Sequence, residues 1–177
     1  MLTFAAFPGA AQESSIGTRF IMQEPSGRIV KDEDFRGKFM LIFFGYTFCP
    51  DICPTALGTV AEAMNLVGTG ESEKLVPIFV TLDPERDTPA RLGEFVKHFH
   101  PRLVGLTGSP EMLSRLTKAY KVTYQKVPAG KDDPGNYLID HSAGLYLMDR
   151  EGKFRAKFLH GTGAEELARR LKEELSR

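Results

Sequence analysis

Cys49 and Cys53 are the only cysteines in the 177-residue chain, and they sit in Phe48-Cys49-Pro50-Asp51-Ile52-Cys53-Pro54. A disulfide closing so short a loop removes little unfolded-state entropy, so the pair reads as chemistry and not as a structural staple. An apolar run, Met40 to Phe44, leads into it through Gly45 and Tyr46. Beyond it, Leu57, Val60, Ala61, Met64 and Val67 recur at close to the helical period, which predicts a helix over Pro54–Val67. Pro54 suits a first helical turn, where no N–H is needed, and it disfavours a helical conformation at the residue before it. Cys53 is therefore expected at or beside the N-cap, with Cys49 in the preceding loop. Free N–H groups and the positive end of the helix dipole favour thiolates there. The competing reading, two ordinary buried cysteines near a helix start, leaves the cap position and the flanking prolines unexplained.

The rest of the composition limits the setting. Hydrophobic residues make up 42% and charged residues 26%, a globular balance. With 23 basic and 23 acidic residues the net charge is zero, which argues against a general nucleic-acid binder. No stretch approaches the ~20 apolar residues that cross a bilayer. Residues 1–15 are set apart from the expected domain, 16–177. Their apolar and small residues (Leu2, Phe4, Ala5, Ala6, Phe7, then Gly9-Ala10-Ala11) read either as a disordered leader or as the remnant of a signal or anchor segment.

The elements that must carry the cysteines follow in order. Gly17–Gln23 and Arg28–Val30 read as a hairpin around Glu24-Pro25-Ser26-Gly27, and Asp32–Phe35 as a short polar turn. Phe39–Phe44 is a strand. Gly68-Thr69-Gly70 should stop the helix that follows. Leu75–Leu82 is almost continuously apolar, as in a strand buried on both faces, with Pro77 delaying the strand proper to Ile78. Thr88 as N-cap and Pro89 at N1 open a helix to Phe99. Leu103–Leu106 is a short strand, Ser109 caps a helix to Tyr120, and Val122–Lys126 is extended before a loop, Pro128–Asn136. Gly144–Met148 and Lys153–Leu159 form a hairpin, and Ala164–Leu175 closes the chain as an amphipathic helix.

This alternation specifies an α/β, thioredoxin-like three-layer fold: a central mixed sheet flanked by helices, with an N-terminal hairpin. In that fold a Cys-x-x-Cys opens the first helix. Here the spacing is Cys-x-x-x-Cys, which widens the pair and suits a metal held between two thiolates.

Four ordered stretches resemble the Sco/SenC family of copper chaperones: Phe44 to Pro54, Leu82-Asp83-Pro84-Glu85-Arg86-Asp87-Thr88-Pro89, His100 to Gly108, and Ile139-Asp140-His141-Ser142. The likeness covers residues 17–175. It implies metal ligands at Cys49, Cys53 and His141, with Cys49 and Cys53 also acting as a redox pair. It further implies delivery of copper to, or reduction of the cysteines of, the binuclear copper site in cytochrome c oxidase subunit II. Other copper chaperones or thiol reductants are implied as further partners. So is a location on the periplasmic face of a bacterial inner membrane, or less directly the mitochondrial intermembrane space. A membrane tether is expected in the full-length protein but not in this chain, and a monomer is expected.

The donor chemistry agrees with the resemblance. Two soft thiolates and an imidazole suit Cu(I), and with water or another ligand added they also hold Cu(II). Three protein ligands leave the metal accessible, where four would read as a closed structural zinc site. At the position where thioredoxins carry a proline near the cysteines, this chain has Asp140-His141-Ser142. Asp140 is read either as a residue orienting His141 or as a solvated strand-edge carboxylate. Asp83 is read either as a site residue at a strand's C-terminal end or as part of the cap of the next helix. Tyr46 and Phe48 are candidates to shield the site or form a docking face. His98, His100 and His160 read as surface or capping residues, and Met22, Met40, Met64, Met112 and Met148 as packing. The main alternative function is a thiol–disulfide oxidoreductase acting on the same or another copper protein. A peroxiredoxin-type peroxidase shares the fold, but Thr47, two residues before Cys49, has no partner visible in the sequence.

Overall fold

The computed structural model describes residues 16–130 and 136–176. The expected leader, residues 1–15, and part of the 128–136 loop lie outside them. Strands β1 (Ile21–Gln23) and β2 (Ile29–Lys31) form the expected N-terminal hairpin as a two-stranded sheet of their own. A 3-10 turn at Asp32–Phe35 leads into β3 (Phe39–Gly45), all seven residues of which are buried. Next come α1 (Ile52–Val67), a single turn α2 (Thr69–Ser72), β4 (Leu75–Thr81), α3 (Pro89–Phe99), β5 (Val104–Leu106) and α4 (Pro110–Ala119). The chain then runs through β6 (Tyr124–Pro128), β7 (Tyr137–His141), β8 (Gly144–Met148), β9 (Phe154–Leu159) and α5 (Ala164–Leu175).

The central sheet has the order β5-β4-β3-β8-β9. β3 pairs in parallel with β4 and antiparallel with β8, so the sheet is mixed and its most buried strand is the one that feeds the cysteines. Side chains alternate across it. Phe43 and Phe79 meet on the face covered by α1 and α3, where Phe79 packs on Phe95 of α3 at 5.4 Å between ring centroids. α5 lies alongside α1 and contributes Leu167, Leu171 and Leu175 to the core. On the opposite face Phe44 packs on Tyr120, the C-cap of α4, at 5.4 Å, and on Tyr146 of β8 at 5.9 Å. This is the thioredoxin-like three-layer arrangement.

Several local expectations are corrected. Pro77 does not delay β4: the strand starts at Leu75, and Pro77 pairs with Leu41 in the β3 register. In a parallel strand, successive residues address alternate neighbours. Leu82 N–H reaches the Gly45 carbonyl on the β3 side, so Pro77 faces the β5 side, where pairing begins only at Ile78. The missing N–H therefore removes no ladder bond. Gly68 ends α1 with φ +92°, but the chain re-enters a helical turn at once in α2. The segment before His141, unassigned in the sequence, is β7, which pairs antiparallel with β6 from Tyr124↔His141 to Pro128↔Tyr137. Met112 is 42% exposed and does not pack in the core, unlike Met22, Met40, Met64 and Met148.

Gly45 is the tightest point of the sheet. A Cβ there would lie 2.6 Å from Cys53 Sγ and 2.9 Å from the Phe79 ring. Gly45→Ala should therefore cost about 1–3 kcal/mol of stability, the range for overpacking a filled core. Chemical denaturation of the reduced protein checks this; an unchanged midpoint would show that the sulfur and ring have room to move.

Candidate metal centre

The candidate metal centre lies where β3 ends and α1 begins. α1 starts at Ile52, two residues earlier than its sequence period predicts, with Asp51 as N-cap, so Cys53 is already helical and Pro54 still lies in the first turn. The Asp51 side chain does not cap the helix. The Cys49 sulfur does part of that work, accepting the Cys53 N–H at 3.4 Å. A helix start leaves several N–H groups without intrahelical partners. Here one of them points at a sulfur.

The two cysteines differ in exposure and in acidity. Cys53 is fully buried at 0% exposure, against Gly45 and Phe79, whereas Cys49 is half-buried. The Cys49 thiol is held well below its ordinary range. The hydrogen bond from Cys53 is the largest cause, and His141 and the Asp51 and Cys53 backbone N–H groups add to it against the opposing effect of burial. Cys53 is pushed the other way, by donating to Cys49, by burial and by the neighbouring Cys49 charge. Over the neutral range the pair thus shares one proton, held by the inner sulfur.

His141 is the last residue of β7, and its ring reaches the same spot. Nε2 lies 3.9 Å from Cys53 Sγ. Nδ1 lies 3.3 Å from the Ser142 carbonyl, which can only accept, so a neutral ring with its proton on Nδ1 would offer the Nε2 lone pair to a metal. Phe43 and Tyr46 hold the ring edge-on, at centroid distances of 6.3 and 6.2 Å. A metal with bonds of about 2.3 Å to sulfur and about 2.0 Å to nitrogen separates those donors by roughly 3.8 Å in a trigonal arrangement. The observed Cys53–His141 spacing fits such an ion. Among the described residues, no group of three or more His, Cys, Asp and Glu side chains is already gathered as a metal cluster. The third donor, the Cys49 sulfur, is engaged with the helix N-terminus.

The remaining candidates take other places. Asp140 is exposed and lines the opening above Cys49 and His141 together with Ile52, Val127 and Leu138; the ring nitrogens of His141 go to Ser142 and Cys53. Asp83 is 1% exposed and accepts from Arg86 Nε at 2.5 Å and from the Tyr137 hydroxyl at 2.8 Å. Tyr46 is buried, and Phe48 is 40% exposed. Phe48 lies under the guanidinium groups of Arg86 and Arg91, at 4.7 and 3.8 Å. His100 Nδ1 accepts the Arg102 N–H at 3.1 Å, and His98 packs on Phe99.

Sequence reading missed Asp87. Its carboxylate is buried and accepts the Thr47 N–H, the Thr47 hydroxyl and the Thr81 hydroxyl at 3.0, 2.6 and 2.5 Å. Burial raises its pKa against the opposing effect of these bonds. Thr47 also accepts from Arg91 Nε at 2.8 Å, so the partner that the sequence did not reveal for it is this Asp–Arg pair. The only signal was the repetition of acids in Asp83-Pro84-Glu85-Arg86-Asp87, which resembles a cap more than a buried acceptor.

A thioredoxin-like sheet presenting a thiol pair at a helix start, with an imidazole facing the inner sulfur, defines a dithiol–histidine protein suited to a soft metal. The comparisons place it more narrowly. The family profile described as SCO1/SenC matches residues 8–176, and the chain belongs to that family. It is 40% identical over 157 residues to the SCO2-like protein of Rickettsia felis, covering 89% of this chain and 76% of that protein. Among solved structures, copper-bound ScoI of Bradyrhizobium japonicum superposes with a TM-score of 0.81 at 42% identity, covering 90% of this chain and 99% of that one. Copper-bound yeast Sco1 gives 0.83 at 35%, covering 92% and 89%.

The asymmetry of the pair has a direct test. At pH 6 an ordinary thiol of pKa about 8.5 is ionised to well under ~1%. Cys49, lowered and half-exposed, should still be alkylated rapidly by iodoacetamide at that pH, while buried Cys53 in the native protein is spared. Peptide mapping reads both rates. Equal labelling, or faster labelling of Cys53, would contradict the assignment.

Proposed function

We propose that this protein is a copper metallochaperone whose reduced Cys49 and Cys53 bind copper together with His141. It delivers the metal to, or prepares the cysteines of, the binuclear copper site of cytochrome c oxidase subunit II. The observation that carries this reading is the 3.9 Å approach of Cys53 Sγ to His141 Nε2, with the Cys49 sulfur 3.4 Å from the Cys53 N–H. The donor set is soft, and trigonal coordination suits Cu(I). Binding requires the shared thiol proton to leave and Cys49 to give up the Cys53 N–H. The copper-bound relatives support the cargo, and the family resemblance supports the destination.

The exposed rim offers a route for hand-over. Cys49 is the outermost donor, and Phe48, Ile52 and Leu138 around it are 40%, 36% and 38% exposed. A partner thiolate can replace Cys49 first, then His141, and leave the buried Cys53 sulfur last. No described helix is long and apolar enough to cross a membrane. The reading places the domain, tethered in the full-length protein, at the periplasmic face of a bacterial inner membrane, acting as a monomer with copper chaperones or thiol reductants upstream.

One observation favours the alternative, a thiol–disulfide oxidoreductase: a half-exposed outer sulfur that accepts a helix N–H, backed by a fully buried inner one. In that mechanism the Cys49 thiolate attacks a partner disulfide and expels one partner thiolate. Cys53 then gives up its proton and attacks the mixed disulfide. The products are a Cys49–Cys53 disulfide and a partner with both thiols reduced.

Copper titration separates the two. The reduced parent should bind one Cu(I) tightly in chelator competition, and Cys49→Ser should lose that binding. His141→Ala should weaken it by more than about 100-fold, beyond the ~10–100-fold cost of altering a supporting residue. Tight binding by His141→Ala, or none by the parent, would overturn the chaperone reading; turnover of a disulfide substrate that survives His141→Ala would put the oxidoreductase first.

A further inference from the structure

The proposed ligands come from two parts of the fold that share no backbone ladder. Cys49 and Cys53 belong to the junction of β3 and α1, in the five-stranded sheet. His141 ends β7, whose only strand partner among the described residues is β6, and Ser142 and Ala143 join it to β8, which pairs with β3. That link ties the His141 end of the hairpin to the cysteine-bearing sheet, but no strand pairing among the described residues ties its Tyr137 end there.

The segment between β4 and α3 grips both parts. At one end Asp87 accepts the backbone N–H and hydroxyl of Thr47, two residues before Cys49, and is itself anchored by Thr81 of β4. At the other end Asp83 and Arg86 grip Tyr137, the first residue of β7 and four before His141. The Tyr137 hydroxyl donates to Asp83 at 2.8 Å, and Arg86 Nη1 donates to the Tyr137 carbonyl at 2.8 Å. Arg86 Nε closes the triangle on Asp83 at 2.5 Å, and its guanidinium lies 3.6 Å from the centre of the Tyr137 ring. The two grips are joined by a tight turn in which the Asp87 N–H donates to the Asp83 carbonyl at 2.9 Å. Asp83 and Asp87 are each 1% exposed, so water competes little for these bonds.

We infer that Asp83–Asp87 is a brace that registers the His141-bearing hairpin against the cysteine loop, and that Arg86 and Tyr137 are positioning residues for metal binding although neither is a ligand. Residues that hold metal ligands in place typically matter about 10–100-fold in affinity. The inference rests on the proposed copper site. It adds that copper affinity depends on the interface between the two sheets as well as on the three donors.

A thermodynamic cycle tests it. Arg86→Gln removes the stacking cation and the grip on the carbonyl. Tyr137→Phe removes only the hydroxyl bond and keeps the ring, so one variant remains informative if the other folds poorly; thermal melts of the reduced proteins show which is usable. In the parent background each should weaken Cu(I) binding by about 10-fold or more. In the His141→Ala background, where there is no imidazole left to position, each should change it by less than about 2-fold, because the effects are coupled through that one residue. An equal loss in both backgrounds would show general destabilisation and overturn the brace, and so would no loss in either. If the parent itself binds no Cu(I), the proposed function fails separately, and amide exchange without metal decides the brace. Arg86→Gln should then speed exchange across β7 by about 10-fold while β3 and β4 stay protected; unchanged β7 exchange would overturn it.

Discussion

The fold turns on the seating of one sulfur. Cys53 is wholly buried at the point where the central strand ends, and the residue beside it on that strand is a glycine because a methyl group would have no place. That contact ties the first turn of α1 to the C-terminal edge of β3, and the remaining donors are arranged relative to it. Cys49 arrives from the loop before the helix. His141 arrives on a separate hairpin, with its ring held between Phe43 and Tyr46. The inner sulfur is thus set by packing, Cys49 by a hydrogen bond, and His141 by aromatic contacts.

This division explains why one helix start gives two chemically different thiols. In water the two would titrate alike. Here the half-exposed sulfur collects the hydrogen bonds that stabilise a thiolate, and the buried one loses solvation and keeps its proton. The proposed role, accepting a soft metal and later surrendering it, would benefit from this asymmetry. The donor nearest solvent can be exchanged without exposing the core, while the deepest donor retains the cargo until a partner is in place. The same asymmetry equips the pair for disulfide exchange, so metal transfer and thiol chemistry draw on one arrangement.

Much of this was legible in the chain. The thiol pair ahead of a periodic apolar segment marked the candidate site, Thr88-Pro89 located a helix start that the Thr88 side chain indeed caps at Arg91 N–H, and Ala164–Leu175 was read with its observed bounds. What escaped was long-range. β7 shows no apolar–polar alternation, because its regularity comes from pairing with β6. Pro77 looked like an interruption because the side its ring faces depends on which neighbouring strand is missing there. Asp87 looked like a helix-cap acid because its acceptor role depends on Thr47 and Thr81, 40 and 6 residues away. Local propensity and motif spacing carry the elements and the chemistry. The contacts that bring two sheets into register have no local trace.

The central claim is that two sulfurs and one imidazole close on a single copper ion within one chain. X-ray absorption spectroscopy at the copper edge of the Cu(I)-loaded protein tests it most directly. The account predicts a three-coordinate shell of two sulfurs and one nitrogen, with the multiple-scattering signature of one imidazole that disappears in His141→Ala. A sulfur-only shell, or copper–copper scattering from ions bridged between two chains, would contradict it.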